Sequence, residues 1–194
     1  MDYKIISIIL ATIIGTASFV PYLKDIFKKK TKPHLYTWLV WSITQGTAVA
    51  GIIYGGGGIG AIELIIGTIL VFLVFLFSLK YGSKNITKAD TFVLFAALLA
   101  ILVWWKLKNP LTAIFIVSLI DLLGCIPSFR KTFIEPWSET VLTWFGFALS
   151  NCFAILALHE YNFLTLTYIT SLTIANLGLG ILCLIRRPFV LKPR

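Results

Sequence analysis

The chain has 194 residues, of which 58% are hydrophobic and only 13% are charged, and its mean hydropathy is +0.92. Soluble globular domains carry about 25% charged residues, so this composition excludes a typical soluble domain and indicates a membrane protein. The net charge of +9 does not indicate a nucleic-acid-binding protein, because the basic residues lie in short segments between apolar runs and form no continuous face.

Seven apolar runs follow one another, and each is predicted to be a membrane-spanning helix of about 20 residues. Their predicted bounds are 5–23, 35–54, 59–79, 91–107, 110–129, 140–158 and 163–185. The connections are short, so consecutive helices are expected to run antiparallel. The first run is expected to be a retained helix and not a signal peptide, because its positive charge follows the apolar stretch.

The distribution of lysine and arginine predicts the orientation. Fourteen of the 17 fall at one end of the predicted bundle, including the five between Lys24 and Lys32, whereas only Lys4, Lys106 and Lys108 fall at the other end. By the positive-inside rule, the N-terminus is expected outside and the C-terminus in the cytoplasm, with the chain in the plasma (inner) membrane. Anionic lipid is an expected partner at the cytoplasmic face.

A degenerate internal repeat emerges when the sequence is shifted by 106 residues. The aligned pairs are Pro21–Pro127, Phe27–Phe133, Thr37–Thr143, Trp38–Trp144 and Gln45–Asn151. Such self-similarity indicates a duplicated unit. The predicted fold is therefore all-α and polytopic, with two parallel three-helix repeats, 1–85 and 109–194, joined by a linker helix in 86–108. The linker is needed because a three-helix unit repeated directly would be inserted upside down.

Polar and aromatic residues inside the second and sixth spans are candidates for a binding site. Trp38, Trp41 and Gln45 have the spacing of one helix face, and Trp144 and Asn151 repeat the arrangement. Amides donate and accept hydrogen bonds, which suits a neutral hydroxylated or amide-bearing solute. Amides that only bond neighbouring helices and tryptophans of an interfacial belt are the alternatives. The remaining tryptophans are predicted to be belt residues: Trp104, Trp105 and Trp137.

Five residues in other spans complete the set of candidates. Asp121, deep in the fifth span, is expected to face the interior as a proton site, a solute ligand or a structural hydrogen-bonding partner. Glu63 lies near the start of the third span, either on the pathway or reaching outward to water. Asn176 belongs to a polar, small-residue stripe that is interpreted as a pathway wall or a close packing surface. Pro21 and Pro127 are interpreted as hinges or as residues that help to end their helices.

No set of residues indicates catalysis or a bound metal. The spans offer no paired carboxylates and no nucleophile–base set, and the glycines of 55–60 match GxGxxG without the strand that a nucleotide site requires. The three cysteines are scattered through apolar runs and form no zinc or disulfide pattern. We therefore expect no enzyme activity, no cofactor, no metal and no nucleic-acid partner.

With this layout, the chain resembles the PQ-loop superfamily, which includes the SWEET and SemiSWEET sugar transporters. The resemblance covers about residues 5–185. Pro21 and Pro127 correspond to the proline at the end of the first helix of each family unit. Trp38, Trp144 and Asn176 match the family's mid-helix tryptophan and asparagine positions.

The chain also departs from the family pattern. Tyr22 and Ser128 follow the two prolines where the family has glutamine, and Pro33 precedes the second span, which has no proline of its own. The architecture therefore transfers better than the sugar substrate does. Because the superfamily also includes receptors, a non-transporting receptor or assembly factor is the alternative to a transporter.

These observations predict a membrane transporter of a small polar solute, sugar-like or another neutral metabolite. Its site is expected near the bilayer midplane between the two repeats, with access alternating between the two sides. Gln45, Asn151 and Asn176 are expected to contact the solute, and Trp38 and Trp144 to line or gate its path. Homo-oligomer formation is left open.

Overall fold

The computed structural model of the chain describes residues 3–83, 86–107 and 109–192, and within these ranges it is helical and without a strand. The helices are α1 Tyr3–Phe27, α2 Leu35–Tyr54, α3 Ala61–Tyr81, α4 Lys88–Leu107, α5 Pro110–Ile134, α6 Val141–Ala157 and α7 Phe163–Arg186. The prediction of an all-helical chain with seven helices is confirmed. Some residues used in the sequence analysis lie outside the described ones, namely Lys84, Lys108, Arg194 and the side chains of Trp104 and Trp105.

Local sequence explains where several helices begin and turn. The side chain of Asn109 accepts hydrogen bonds from the first backbone N–H groups of α5, where Pro110 occupies the first position. Asn162 caps α7 in the same way. Between α2 and α3, Gly56 and Gly58 have positive φ angles of 79° and 58°, which glycine adopts without steric cost. The GxGxxG match is therefore a turn between helices, as expected.

Neither of the two prolines that the repeat aligns ends its helix. Pro21 lies inside α1, which continues to Phe27, and Pro127 lies inside α5, which continues to Ile134. The predicted ends, at residues 23 and 129, are therefore too early. Each proline removes one backbone hydrogen bond within a continuing helix. The interpretation that the prolines help to end the helices is wrong, and their role as hinges stays a prediction.

The apolar character of the helices is compatible with an integral membrane protein. Three helical runs are long and apolar enough to cross a membrane, namely Tyr3–Phe27, Gly58–Tyr81 and Phe163–Phe189. Large apolar side chains cover the outside of the bundle, as at Ile69, 66% exposed, and Ile174, 64% exposed. Exposed apolar area on this scale requires an apolar partner. That the other four helices also cross the membrane stays a prediction.

The helices pack as two groups that share a central boundary. α1 packs against α3 and α6, and α2 packs against α3 and α5. α7 packs against both α5 and α6, while α4 packs against α5 and, over a smaller area, α2. The boundary between the group α1–α3 and the group α5–α7 is therefore formed chiefly by the α1–α6 and α2–α5 contacts.

The bundle has two chemically different ends. The lysine-rich end carries the connections 28–34 and 135–140, and the glycine-turn end carries the connections 55–60 and 158–162. At the lysine-rich end, Lys131 and Glu139 form a buried ion pair, with side chains 6% and 1% exposed. Lys131 Nζ also donates to the carbonyl oxygen of Lys32 at 2.6 Å. This network joins the α1–α2 connection to the α5–α6 connection.

α1 and α6 approach each other closely at a glycine. A Cβ atom added to Gly146 would lie 2.9 Å from Ser18 Cβ and still closer to its hydroxyl oxygen. Small residues allow helices to approach in this way in membrane proteins. Gly46, by contrast, has no heavy atom within 4 Å of an added Cβ. Helix packing therefore requires a glycine at position 146, whereas position 46 has space for a larger side chain.

Gly146→Ala is expected to lower the free energy of unfolding by about 1–3 kcal/mol, because the added methyl group overpacks the α1–α6 contact. Gly46→Ala is the matched control and is expected to be neutral or to stabilise α2 by up to about 1 kcal/mol. The melting temperatures of the two purified variants in detergent measure the difference. A Gly146→Ala protein as stable as Gly46→Ala would contradict the close approach.

Candidate functional site

A cavity between the two halves of the bundle is the candidate functional site. Its walls come from α1, α2 and α3 on one side and from α6 and α7 on the other. About 410 Å³ of empty space, part of it open to the surroundings, lies between them. Five aromatic rings, three amides and one carboxyl group line it, and no lysine, arginine or histidine of the described residues does. A largely apolar wall with a few polar groups is typical of small-molecule sites.

Seven of the eight candidate pathway residues predicted from the sequence line this cavity. They come from four helices: Trp38, Trp41, Gln45, Glu63, Trp144, Asn151 and Asn176. Asp121 is the exception and lies outside the lining. The fold thus brings together residues that are up to 138 positions apart in the chain. Their contact with a solute stays a prediction.

Two amide side chains in the cavity have unpaired polar atoms. Gln45 is 5% exposed and Asn151 is 3% exposed. Oε1 of Gln45 and Nδ2 of Asn151 nevertheless have no hydrogen-bond partner among the described residues. Each unpaired buried atom costs about 1–3 kcal/mol. Hydrogen bonding between helices does not account for these atoms, and they offer a ligand one acceptor and one donor.

Three tryptophans and a tyrosine form an aromatic layer on the side of the cavity toward the lysine-rich end. The ring of Tyr22 lies 5.1 Å from that of Trp38 and 5.9 Å from that of Trp144. Trp41 packs against the same two tryptophans, at 5.2 and 6.0 Å. All four side chains are at most 3% exposed. They therefore lie inside the bundle, away from the outer surface that an interfacial belt occupies.

Glu63 supplies the carboxyl group of the cavity, and its neighbours satisfy the hydrogen-bonding capacity of this group only in part. Its Oε1 lies 2.9 Å from Ser150 Oγ, which also lies 2.7 Å from the carbonyl oxygen of Ala11. A serine hydroxyl has one hydrogen to donate, so it serves one of these two oxygens at a time. Among the described residues, no lysine, arginine or histidine forms an ion pair with Glu63.

Asp121 is enclosed between α2, α5 and α7. Its Oδ1 accepts hydrogen bonds from Thr44 Oγ1 and, at 2.9 Å, from the hydroxyl of Tyr168. Its backbone carbonyl oxygen accepts from Trp41 Nε1 at 3.4 Å and from Cys125 Sγ at 3.3 Å. These contacts agree with the interpretation of Asp121 as a structural hydrogen-bonding partner. In this conformation, a solute in the cavity does not touch it.

The two carboxyl groups contact hydroxyl residues that are aligned in the sequence repeat. Thr44 and Ser150, which are 106 residues apart, each contact one of them. Asp121 reaches Thr44 from α5, whereas Glu63 reaches Ser150 from α3. Asp121 aligns with Gly15, and a Cβ atom at Gly15 would lie 2.8 Å from Glu63 Oε1. Because glycine has no side chain, Gly15 leaves room for the carboxyl group of Glu63. Neither carboxyl group belongs to a cluster of three metal-binding side chains among the described residues.

Sequence reasoning missed several side chains that shape the site, among them two phenylalanines and a serine. Phe19 and Phe147 line the cavity, and Ser150 contacts its carboxyl group. The repeat contains a signal for two of them, because Phe147 aligns with Trp41 and Ser150 aligns with Thr44. Phe19 has no such signal, since an apolar residue in an apolar helix is not distinguished by its sequence context.

The chain matches no family model, no curated protein and no solved structure. The resemblance to the PQ-loop superfamily therefore rests on the quoted residues alone and stays a prediction.

Tyr168→Phe is expected to lower the free energy of unfolding by about 1–3 kcal/mol, because it removes a donor to a buried carboxyl group. The melting temperature of the purified variant measures this loss. Tyr161→Phe is the control, since the Tyr161 hydroxyl donates to the carbonyl oxygen of Leu156 at an exposed position. If Tyr168→Phe has the same melting temperature as the control, the hydrogen bond to Asp121 does not stabilise the bundle.

Proposed function

We propose that the protein is an integral membrane transporter of a small polar solute, which binds in the cavity between the two three-helix units. The observation that carries this proposal is the pair of unpaired amide atoms, on Gln45 and Asn151, in the wall of one cavity. A protein retains unpaired buried polar atoms at a cost, and a bound solute that pairs with them removes that cost. One amide comes from each predicted repeat.

The pattern of helix contacts supports the arrangement of two three-helix repeats with a linker helix. α1 packs on α3 as α5 packs on α7, and α2 packs on α3 as α6 packs on α7. Across the boundary, α1 packs on α6 as α5 packs on α2. α4 has no counterpart in this scheme and lies against α5. This is the pattern expected of two similar units related by an axis along the membrane normal.

The close approaches across the boundary support the same arrangement. Gly146 on α6 faces Ser18 on α1, and Gly124 on α5 faces Val40 on α2, where an added Cβ would lie 2.9 Å from Val40 Cγ1. Ser18 aligns with Gly124, and Val40 aligns with Gly146. Each crossing thus has one glycine. In the α1–α6 crossing the glycine is on α6, and in the α5–α2 crossing it is on α5, which corresponds to α1. Close contact is present at both crossings although the residues are exchanged.

Alternating access requires the lysine-rich end to open. Trp144 Nε1 donates to Glu139 Oε2 at 3.2 Å, and Glu139 pairs with Lys131 of α5. Arg187 also donates to the carbonyl oxygen of Glu139, at 2.8 Å. The aromatic layer is therefore tied to the network that joins the two halves at this end. Rearrangement of this network, with bending at the internal prolines of α1 and α5, is the proposed opening step.

The charge distribution supports a plasma (inner) membrane protein with the glycine-turn end outside and the lysine-rich end in the cytoplasm. In this orientation α1 begins outside and α7 ends in the cytoplasm. The lysines of the α1–α2 connection would then face anionic lipid headgroups. A receptor or assembly factor with the same fold is the second candidate. It would bind a ligand in the cavity without moving it across the membrane.

Uptake into proteoliposomes tests the proposal. A panel of labelled solutes, consisting of a hexose, a nucleoside, an amino acid and choline, is expected to contain one that the wild type takes up. Asn151→Ala is expected to reduce that uptake about tenfold, because one hydrogen bond of about 1.4 kcal/mol corresponds to that factor. Leu149→Ala is the control, since Leu149 lies on the same helix, is 50% exposed and points away from the cavity.

The outcomes separate the two candidates. Binding of a panel solute without uptake supports the receptor. Equal uptake by wild type and Asn151→Ala removes Asn151 from the site. Neither binding nor uptake of any panel solute contradicts both candidates as far as small polar solutes are concerned.

A further inference from the structure

The cavity is lined by one acidic side chain and by no basic side chain of the described residues. Glu63 lines the cavity with three amides and five aromatic rings, and no cationic side chain of the described residues joins them. Its closest polar contact is a serine hydroxyl that is shared with the Ala11 carbonyl oxygen. An ionised carboxylate in an apolar wall requires a compensating charge. The described part of the chain places no such charge beside Glu63, so Glu63 either holds its proton or, when ionised, needs a cationic ligand.

The aromatic rings of the cavity offer a cation a second favourable environment. Trp41 is nearly perpendicular to Trp38 and to Trp144, with interplanar angles of 76° and 73°. Indole rings at such angles present faces and edges in different directions within one small space. The face of an indole ring attracts cations through its quadrupole, and aromatic cages recognise quaternary ammonium groups in this way.

The amides define the neutral part of the ligand. Gln45 Oε1 is an unpaired acceptor and Asn151 Nδ2 is an unpaired donor. Both are buried in the lining of the cavity that the carboxyl group and the indole rings also line, Gln45 on one side and Asn151 on the other. A ligand that satisfies all of these groups carries one positive charge together with at least one hydroxyl, carbonyl or similar polar group.

We propose that the cavity binds a small organic cation, a solute with a positively charged nitrogen and a neutral polar group, held by Glu63, the indole faces and the two amides. The inference rests on the proposed function, of which it specifies the solute class. It also revises the sequence-based expectation of a neutral solute, which rested on the amides and named Glu63 only as a candidate pathway residue. Gly15 has no side chain, and this leaves room for the Glu63 carboxyl group within the cavity.

Binding of a matched pair of probes tests the charge requirement. Choline and 3,3-dimethylbutan-1-ol have the same shape and hydroxyl group, but the second has carbon in place of the charged nitrogen. Titration calorimetry on the purified full chain in detergent is expected to give at least tenfold tighter binding of choline. Tetramethylammonium and ethanolamine extend the test to other ammonium groups. Equal affinity for the neutral alcohol, or no binding of any ammonium probe at millimolar concentration, overturns the proposal.

Two variants test the residues. Glu63→Gln keeps the shape of the side chain and an oxygen for Ser150, and it is expected to abolish the tenfold preference for choline. Glu160→Gln is its control, because Glu160 is an exposed carboxylate at the glycine-turn end. Trp38→Phe is expected to weaken choline binding several-fold and binding of the neutral alcohol less, since phenyl rings attract cations more weakly than indole rings do. An undiminished preference for choline in both Glu63→Gln and Trp38→Phe contradicts the assigned site.

Flux measurements distinguish a failure of this inference from a failure of the proposed function. Choline that binds with the expected preference, but does not cross proteoliposome membranes, leaves the cation site in place and contradicts transport. Uptake of a neutral panel solute, without binding of any ammonium probe, leaves transport in place and contradicts the cation site.

Discussion

An apolar exterior constrains every polar side chain on these helices, because a polar group turned outward would face apolar surroundings. Hydroxyl groups meet this constraint locally. Ser42, Thr47 and Ser118, for example, each donate to the backbone carbonyl oxygen one turn earlier. Longer polar side chains cannot do so, and they depend on neighbouring helices. The interior therefore consists of satisfied polar groups, apart from a few atoms that include those of Gln45 and Asn151 in the cavity wall.

Two carboxyl groups within the bundle, those of Asp121 and Glu63, have different surroundings. Asp121 lies outside the cavity lining and accepts a hydrogen bond from Tyr168 of α7 and another from Thr44 of α2, whose hydroxyl also contacts the Val40 carbonyl oxygen. Glu63 lies next to Gly15 and faces the cavity. Its carboxyl group accepts a hydrogen bond from one hydroxyl group, which a backbone carbonyl oxygen shares. One carboxyl group thus joins three helices, and the other lines the cavity. Because a solute is itself asymmetric, a binding site between similar units benefits from such a difference.

The lysine-rich end is connected to the cavity through side-chain contacts. The aromatic layer that borders the cavity is connected through Trp144 and Glu139 to the buried ion pair with Lys131. Breaking a buried ion pair by separating its partners is costly unless water or new partners replace the contacts. This end is therefore a discrete, closed arrangement. A bound solute that displaces the indole rings would act directly on the residues that hold the two halves together.

The sequence by itself determined the number of helices, their approximate bounds and most of the cavity lining. Apolar runs, a 106-residue repeat and a few polar residues within those runs are local properties of the chain, and the cost of polar groups in an apolar medium makes them informative. It did not locate the ends of α1 and α5, because a helix whose neighbours pack against it continues through a proline in spite of one lost hydrogen bond.

Only the tertiary structure decided which polar groups were satisfied. The sequence marks Asp121 as the deeper candidate and leaves open that Glu63 reaches outward to water, yet the structure places Glu63, and not Asp121, in the cavity lining. Phe19 entered the lining because of where α1 packs, which no local pattern indicates. Pairing, burial and the space left by a glycine are properties of contacts between distant residues. They are fixed when the helices pack, and this packing is what places one carboxyl group, that of Glu63, in the cavity lining.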